Sequence, residues 1–237
     1  MFLYGRNSVL KRLESNPQSI IRIYFDKELD NSEILNLTRQ NGIQAIKVSR
    51  NELLRLKRAD NLQGVVAEVK NFSYTPLKEL INKAKEENLS FIALDSVSDP
   101  QNLGAIIRSA ACFGGFGVVI AKRDACEVNE TVLHVASGGE NFVPICIVTN
   151  ISTALIEIKK QGFWVAGAVV EGGEDLNKTE LLFPICLLMG SEGKGIRHGL
   201  QSHIDLKLTL PMPGAALSFN VAIACAIFCN EIVRQRG

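Results

Sequence analysis

The chain has no apolar run of the length a membrane span requires. Its first residues, Met-Phe-Leu-Tyr-Gly-Arg, lack the basic region followed by an apolar stretch that marks a secretory signal, so the expected location is the cytoplasm. It has no C-x-x-C pair. Its cysteines, Cys112, Cys126, Cys146, Cys186, Cys225 and Cys229, sit mostly among Ala, Ile, Val and Leu. They therefore read as buried, reduced thiols and not as a disulfide or metal framework. The only histidines, His134, His198 and His203, have no zinc-like spacing, and no metal is expected. There is no G-x-S-x-G, which argues against an elbow-type triad hydrolase, and no G-x-x-x-x-G-K-[ST], which argues against a P-loop. No G-x-G-x-x-G follows the strand Phe91–Asp95, so a dinucleotide dehydrogenase or an ordinary nucleotide-binding methyltransferase is disfavoured.

What is present is a globular composition, 46% apolar, with a net charge of +1 that is unevenly placed. Residues 1–72 carry 12 Lys+Arg against 8 Asp+Glu, and the remainder 14 against 17. A basic unit on an acidic body hints at a polyanionic partner. The tightest basic cluster, Arg55-Leu56-Lys57-Arg58, is either part of that surface or a solvated helix end.

Hydrophobic period divides the chain. Residues 1–72 read as a small α/β unit: helix 7–13, strand 20–25, helix 32–41, strand 45–48, helix 50–56 and strand 64–69. Residues 73–76, polar and ending in Pro76, read as a linker. From Leu77 to Gly237 long strands and helices alternate, which predicts a parallel sheet with helices on both faces and a ligand site at the carboxyl ends of the strands. The last helix is expected to begin just after Ala215, because Leu217, Val221, Ala224, Ile227, Phe228 and Ile232 follow helical spacing.

Three expected strand ends carry unusual polar residues. After Asp95 come Asn102, either a helix cap or a site group, and Arg108, either snorkelling to solvent or a clamp for phosphate or ribose. After Met189 comes Gly190-Ser191-Glu192-Gly193-Lys194-Gly195, where the glycines allow close backbone approach to a ligand. After Leu210-Pro211-Met212 come Ser218 and Asn220, which either cap the last helix or face a ligand.

Together, Asn102-x-Gly104-x-x-x-Arg108, Met189-Gly190-Ser191-Glu192-Gly193 running on to Leu210-Pro211-Met212, and Ser218-Phe219-Asn220-Val221 resemble the three ordered motifs of the SpoU family of RNA ribose 2′-O-methyltransferases, within the SPOUT class. Residues 1–72 resemble, more loosely, the substrate-binding domain of the subgroup that methylates guanosine in large-subunit ribosomal RNA. The resemblance implies a deep trefoil knot in the C-terminal domain, a small N-terminal RNA-binding domain, S-adenosylmethionine as cofactor, and a homodimer with its site at the subunit interface. It assigns Arg108, Asn102, Glu192, Ser218 and Asn220 to the catalytic site. Gly190, Leu210 and Phe219 fall to the cofactor, with Ala166 and Gly167 as looser candidates. Ribosomal RNA is the favoured partner, with transfer RNA or a non-catalytic RNA-binding role as alternatives. Two positions depart from the pattern: Phe219 stands where Leu is usual, and Leu62 where His is common.

Overall fold

The computed structural model describes residues 1–59, 61–215 and 217–236. Its elements build two sheets. The first comprises β1 (Phe2–Tyr4), α1 (Arg6–Ser15), β2 (Ile20–Asp26), α2 (Ser32–Gln40), β3 (Gln44–Val48), α3 (Arg50–Leu56) and β4 (Val65–Val69). The strands lie in the order β1-β4-β2-β3, with β2 and β3 parallel and the other pairs antiparallel. Local chemistry fixes these elements. Ser49 and Glu52 form a reciprocal capping box at the start of α3. In β2, Ile23 and Phe25 alternate into the core, as a half-buried strand requires.

The second sheet follows: α4 (Leu77–Glu86), β5 (Ser90–Leu94), α5 (Pro100–Phe113), β6 (Phe116–Ala121), α6 (Glu130–Ala136), β7 (Ile145–Val148), α7 (Ile151–Lys160), β8 (Trp164–Ala168), β9 (Glu174–Asp175), β10 (Ile185–Met189), β11 (Leu206–Thr209) and α8 (Val221–Arg236). Its seven strands are parallel, in the order β7-β6-β5-β10-β8-β11-β9. Alternate strand residues feed two cores. Ile92, Leu94, Leu187 and Met189 pack under α5, α6 and α8, while Phe91, Ala93, Cys186 and Leu188 pack under α4, α7 and a 3-10 turn, His198–His203. A parallel sheet covered on both faces needs such near-continuous apolar strands.

The two sheets share one apolar cluster, and polar contacts pin them together. The buried Arg12 guanidinium donates to Glu140 at 2.7 Å. Tyr4 stacks on His134 with ring centroids 4.2 Å apart. Glu130 accepts from the Phe2 N–H at 2.6 Å and pairs with Lys57, which also sits over the Tyr4 ring. Lys57, read from the sequence as part of an RNA-facing or solvated cluster, is thus a joint between the two units, while Arg55 and Arg58 are exposed.

Two segments cross at the carboxyl edge of the second sheet. After β10 the chain turns through Ser191–Gly195 and leaves toward the α7 face, where the 3-10 turn packs. After β11 it runs past the ends of β8 and β10 and leaves toward the opposite face, where α8 packs on α5. This crossing lies where the resemblance puts the knot. The start of the last helix differs from expectation: α8 begins at Val221, and Leu217, Ser218 and Phe219 form an exposed, irregular lead-in. The segment near 196–201 is a 3-10 turn from His198 in place of an α-helix. Among the described residues, no helix is long and apolar enough to cross a membrane.

Candidate active site

The crossing segments bring together three polar residues that lie far apart in sequence. Asn102 Nδ2 donates to Glu192 Oε1 at 3.1 Å. Asn220 Nδ2 donates to the same Glu192 oxygen at 2.6 Å and to Asn102 Oδ1 at 2.9 Å. Asn220 Oδ1 meanwhile accepts from the Ala222 N–H at 2.9 Å and caps α8. Asn220 thus caps the helix with its oxygen and joins Asn102 and Glu192 with its nitrogen. Asn102 is not a cap: Asp99 accepts from the Gln101 N–H and Pro100 opens α5, so Asn102 lies within the first turn, buried. One carboxylate oxygen receiving two amide donors is a charge-assisted clip between α5, the loop after β10 and the start of α8.

Beside this clip opens a cavity of about 850 Å³, within the range of about 300–1,000 Å³ typical of small-molecule sites. Its walls are the ends of β8, β10 and β11, the loop 190–195 and the lead-in to α8. Met189, Leu210, Val221 and Phe228 give it an apolar wall, while Glu171 and Glu192 give it negative charge. Among the described residues no lysine or arginine lines it, so the donor set suits a cationic ligand and not a phosphate-bearing one.

Gly190, Leu210 and Phe219 all line this cavity, and so does Ser218. Gly190 has a clear steric reason: a Cβ there would lie 2.0 Å from the Gly195 carbonyl carbon, so the loop closes only over a glycine. Ala166 and Gly167 are placed elsewhere. Both lie inside β8, paired with β10 and β11, and the cavity starts at the next residue, Ala168. A Cβ on Gly167 would meet Ile204 at 2.6 Å, so packing of the connection before β11 onto the sheet accounts for that glycine.

Arg108 is not brought to the others. It is exposed on α5, outside the cavity lining, and among the described residues its guanidinium has no hydrogen bond or ion pair. A residue that the sequence did not single out also shapes the site. Asp95, fully buried at the end of β5, accepts from the Arg197 N–H at 2.9 Å and from Arg197 Nε at 2.7 Å, which fastens the far side of the loop after β10. A carboxylate ending an otherwise apolar strand was the available signal. Among the described residues, no three His, Cys, Asp or Glu side chains are grouped to hold a metal.

A solved structure shares the architecture. The AdoMet-bound rRNA methyltransferase of Sinorhizobium meliloti superposes with a TM-score of 0.81 at 25% identity, covering 99% of this chain and 87% of that one. The crossing at the sheet edge and the clip beside it thus define the protein as an α/β methyltransferase fold of the SPOUT class. Residues 89–230 match the model of the SpoU rRNA Methylase family, and residues 2–75 match that described as RNA 2′-O ribose methyltransferase substrate binding. The chain belongs to the SpoU family of RNA 2′-O ribose methyltransferases. Among its relatives is an uncharacterized tRNA/rRNA methyltransferase of Synechocystis, 36% identical over 99% of this chain, of whose own length the chain spans 62%. Another is a 23S rRNA (guanosine-2′-O-)-methyltransferase of Coxiella burnetii, 35% identical over 99% of this chain and 95% of the relative.

Proposed function

We propose that the protein transfers a methyl group to a ribose 2′-oxygen of RNA, that the acceptor is a guanosine of large-subunit ribosomal RNA, and that it acts as a homodimer. The observation that carries the reading is the Asn102–Glu192–Asn220 clip beside a cation-suited cavity at the crossing of two segments. The ribosomal target is supported by the Coxiella relative, whose name specifies 23S rRNA and guanosine. S-adenosylmethionine, bound by its namesake in the Sinorhizobium structure, would supply an activated methyl group carried on a positively charged sulfur.

The chain's own residues then have three tasks. Met189, Leu210 and Phe228 exclude water and hold the apolar part of the donor, Gly190 leaves room for the loop to close, and the carboxylates of Glu171 and Glu192 favour its positive charge. Ser218, exposed on the rim, orients the ribose. Arg108 binds the neighbouring phosphate and stabilises the negative charge that develops on the 2′-oxygen as it attacks the methyl group, while the hydroxyl proton passes to solvent water at the exposed rim. A guanidinium is a strong donor for that purpose but has no acceptor of its own.

Arg108 lies outside the cavity of its own subunit, and a second subunit resolves this. Phe219, Ile223 and Ile227 form an exposed apolar stripe along α8 and its lead-in, with Leu217 73% exposed beside it. Pairing these stripes across a two-fold axis buries them and lets Arg108 of one protomer complete the site of its partner. Residues 1–72, with residues 73–76 as the link, form the substrate-binding domain.

Incubation with S-adenosylmethionine and unmodified ribosomal and transfer RNA, followed by mapping of 2′-O-methyl nucleotides by mass spectrometry, tests the reading. One new methylguanosine in large-subunit RNA supports it. Methylation confined to transfer RNA refutes the ribosomal target, and cofactor binding by neither calorimetry nor turnover refutes the enzyme.

A further inference from the structure

A second cavity, of about 440 Å³, lies at the seam between the two sheets, at the amino end of β7 and away from the cavity described above. Its walls come from four places: the end of α1 with the following turn, the connection 70–75, Lys83 on α4, and the segment 140–145. Arg12 and Glu140, the buried pair that joins the units, form part of its lining. Because each wall belongs to a different piece of chain, the groove exists only when the two units are docked.

Its chemistry is that of an aromatic platform with hydrogen-bonding groups and cations around it. Phe142, 62% exposed, offers an apolar ring at the surface with nothing covering it. Asn71 presents an amide that can both donate and accept, while Asn141, whose Nδ2 donates to the Gly138 carbonyl at 2.9 Å and to Glu140 at 3.3 Å, offers its oxygen as an acceptor. Lys70 and Lys83 add positive charge: the groove is lined by three cations, counting Arg12, against the single carboxylate of Glu140. Lys83 has only a long, exposed contact of 3.7 Å with Glu87, and among the described residues Lys70 has no ion pair. A ring for stacking, amides for base edges and lysines for phosphate are the elements with which proteins hold unpaired nucleotides.

The groove is also tied to Arg108. Its wall continues from the 3-10 turn Gly139–Asn141, and a Cβ on Gly139 would stand 3.1 Å from the Arg108 Cα. The turn that carries Phe142 at its end therefore rests directly on the backbone of Arg108. Whatever occupies the groove is held at a fixed offset from the stretch of α5 that carries Arg108.

We propose that this seam groove is a subsite for an unpaired nucleotide of the RNA substrate, a few positions from the methylated ribose, with its base on Phe142 and its phosphates near Lys70 and Lys83. The proposal rests on the RNA methyltransferase reading. It makes docking of the two units, and not the N-terminal unit alone, the determinant of which RNA is accepted.

The test uses the full chain and a fluorescent single-stranded segment of the RNA methylated by the wild type. Phe142→Ala and the pair Lys70→Glu with Lys83→Glu are exposed changes outside the donor cavity, and Lys160→Glu on α7 serves as a charge control away from the groove. Each groove variant is expected to weaken RNA binding about tenfold or more, in line with the loss of one stacked base or its phosphate contacts. KM for RNA should rise in parallel while affinity for S-adenosylmethionine stays at the wild-type value and the control binds RNA normally. A bromouridine-substituted segment should photo-crosslink within residues 140–145. Wild-type RNA affinity in both groove variants, or crosslinks confined to other segments, overturns the subsite. Absence of cofactor binding and methylation in the wild type would instead overturn the underlying enzymatic reading.

Discussion

Asn220 does two jobs at once, and its replacement separates them. Asn220→Asp keeps an acceptor for the Ala222 N–H but removes both amide donors and sets a second carboxylate against Glu192. Asn220→Ala removes cap and clip together, at a cost of about 0.5–2 kcal/mol for the cap. Thermal denaturation should show the alanine variant clearly less stable, while methyl transfer should collapse in both. Retention of activity in Asn220→Asp would remove the clip from the site. Arg108→Ala is expected to lower turnover by about 100-fold or more, the usual scale for loss of one oxyanion donor, with cofactor affinity unchanged because its proposed contacts are to the RNA phosphate and the 2′-oxygen and not to the methyl donor. The thiols give a simpler check. Burial pushes Cys186 up to about 12 and Cys146 to about 11, and Cys225 is raised by its contact with Cys229 and by burial. Near neutral pH a thiol reagent should modify at most the exposed Cys112 in the folded protein, and all six cysteines after unfolding.

At the scale of elements, α8 both completes the cavity and carries the exposed stripe. Ile223→Asp with Ile227→Asp should yield monomers by sedimentation, with the fold intact by circular dichroism because both side chains are surface-exposed. A dimer that survives both charges would place the interface elsewhere. The helices and long strands were legible in the sequence because period and punctuation agreed: apolar spacing in α5, and Ser49 with Glu52 at α3. The start of α8 was not, because Leu217 extends the helical spacing of the residues after it, although Leu217, Ser218 and Phe219 are exposed and Asn220 caps the helix one step before Val221. Strands β1 and β9 were too short, at three and two residues, to leave a periodic trace. Of the two readings open for Asn102, the cap fails because Asp99-Pro100 supplies one just before it.

For the whole molecule, the informative contacts are those no local pattern can reveal. Arg12 and Glu140 lie 128 residues apart, and Lys57 and Glu130 lie 73 apart. Breaking the buried pair with Arg12→Ala should cost about 3–5 kcal/mol by leaving Glu140 unpaired, whereas Arg12→Met with Glu140→Leu should recover most of that loss in denaturant titration. Burial alone would raise the Glu130 carboxyl, but Lys57 and the Phe2 N–H outweigh it and hold its pKa below the usual value. Its contribution is therefore complete above the ordinary glutamate range and is lost as pH falls through the lowered pKa. Glu130→Gln should flatten stability against pH across that acid window. The proposal that two subunits share each site has its own test. Co-folding Arg108→Ala with Asn220→Ala chains should restore about a quarter of wild-type sites, since about half the dimers are mixed and each holds one intact pair of halves. No recovery would assign each site to a single subunit.

The clip at the crossing has a consequence for how the protein comes into being. Glu192 belongs to a loop that leaves on one face of the sheet, Asn220 to a segment that leaves on the other, and Asn102 to a helix made long before either. A ribosome delivers these parts in the order Asn102, Glu192, Asn220, and the cavity has no closing wall until the last helix has come out and found its place on α5. Until α8 is seated, the cavity lacks the wall formed by Val221, Ala224 and Phe228. The ability to hold the methyl donor is therefore tied to a single late event, the seating of α8, so that the pocket itself reports that the three distant parts have found one another.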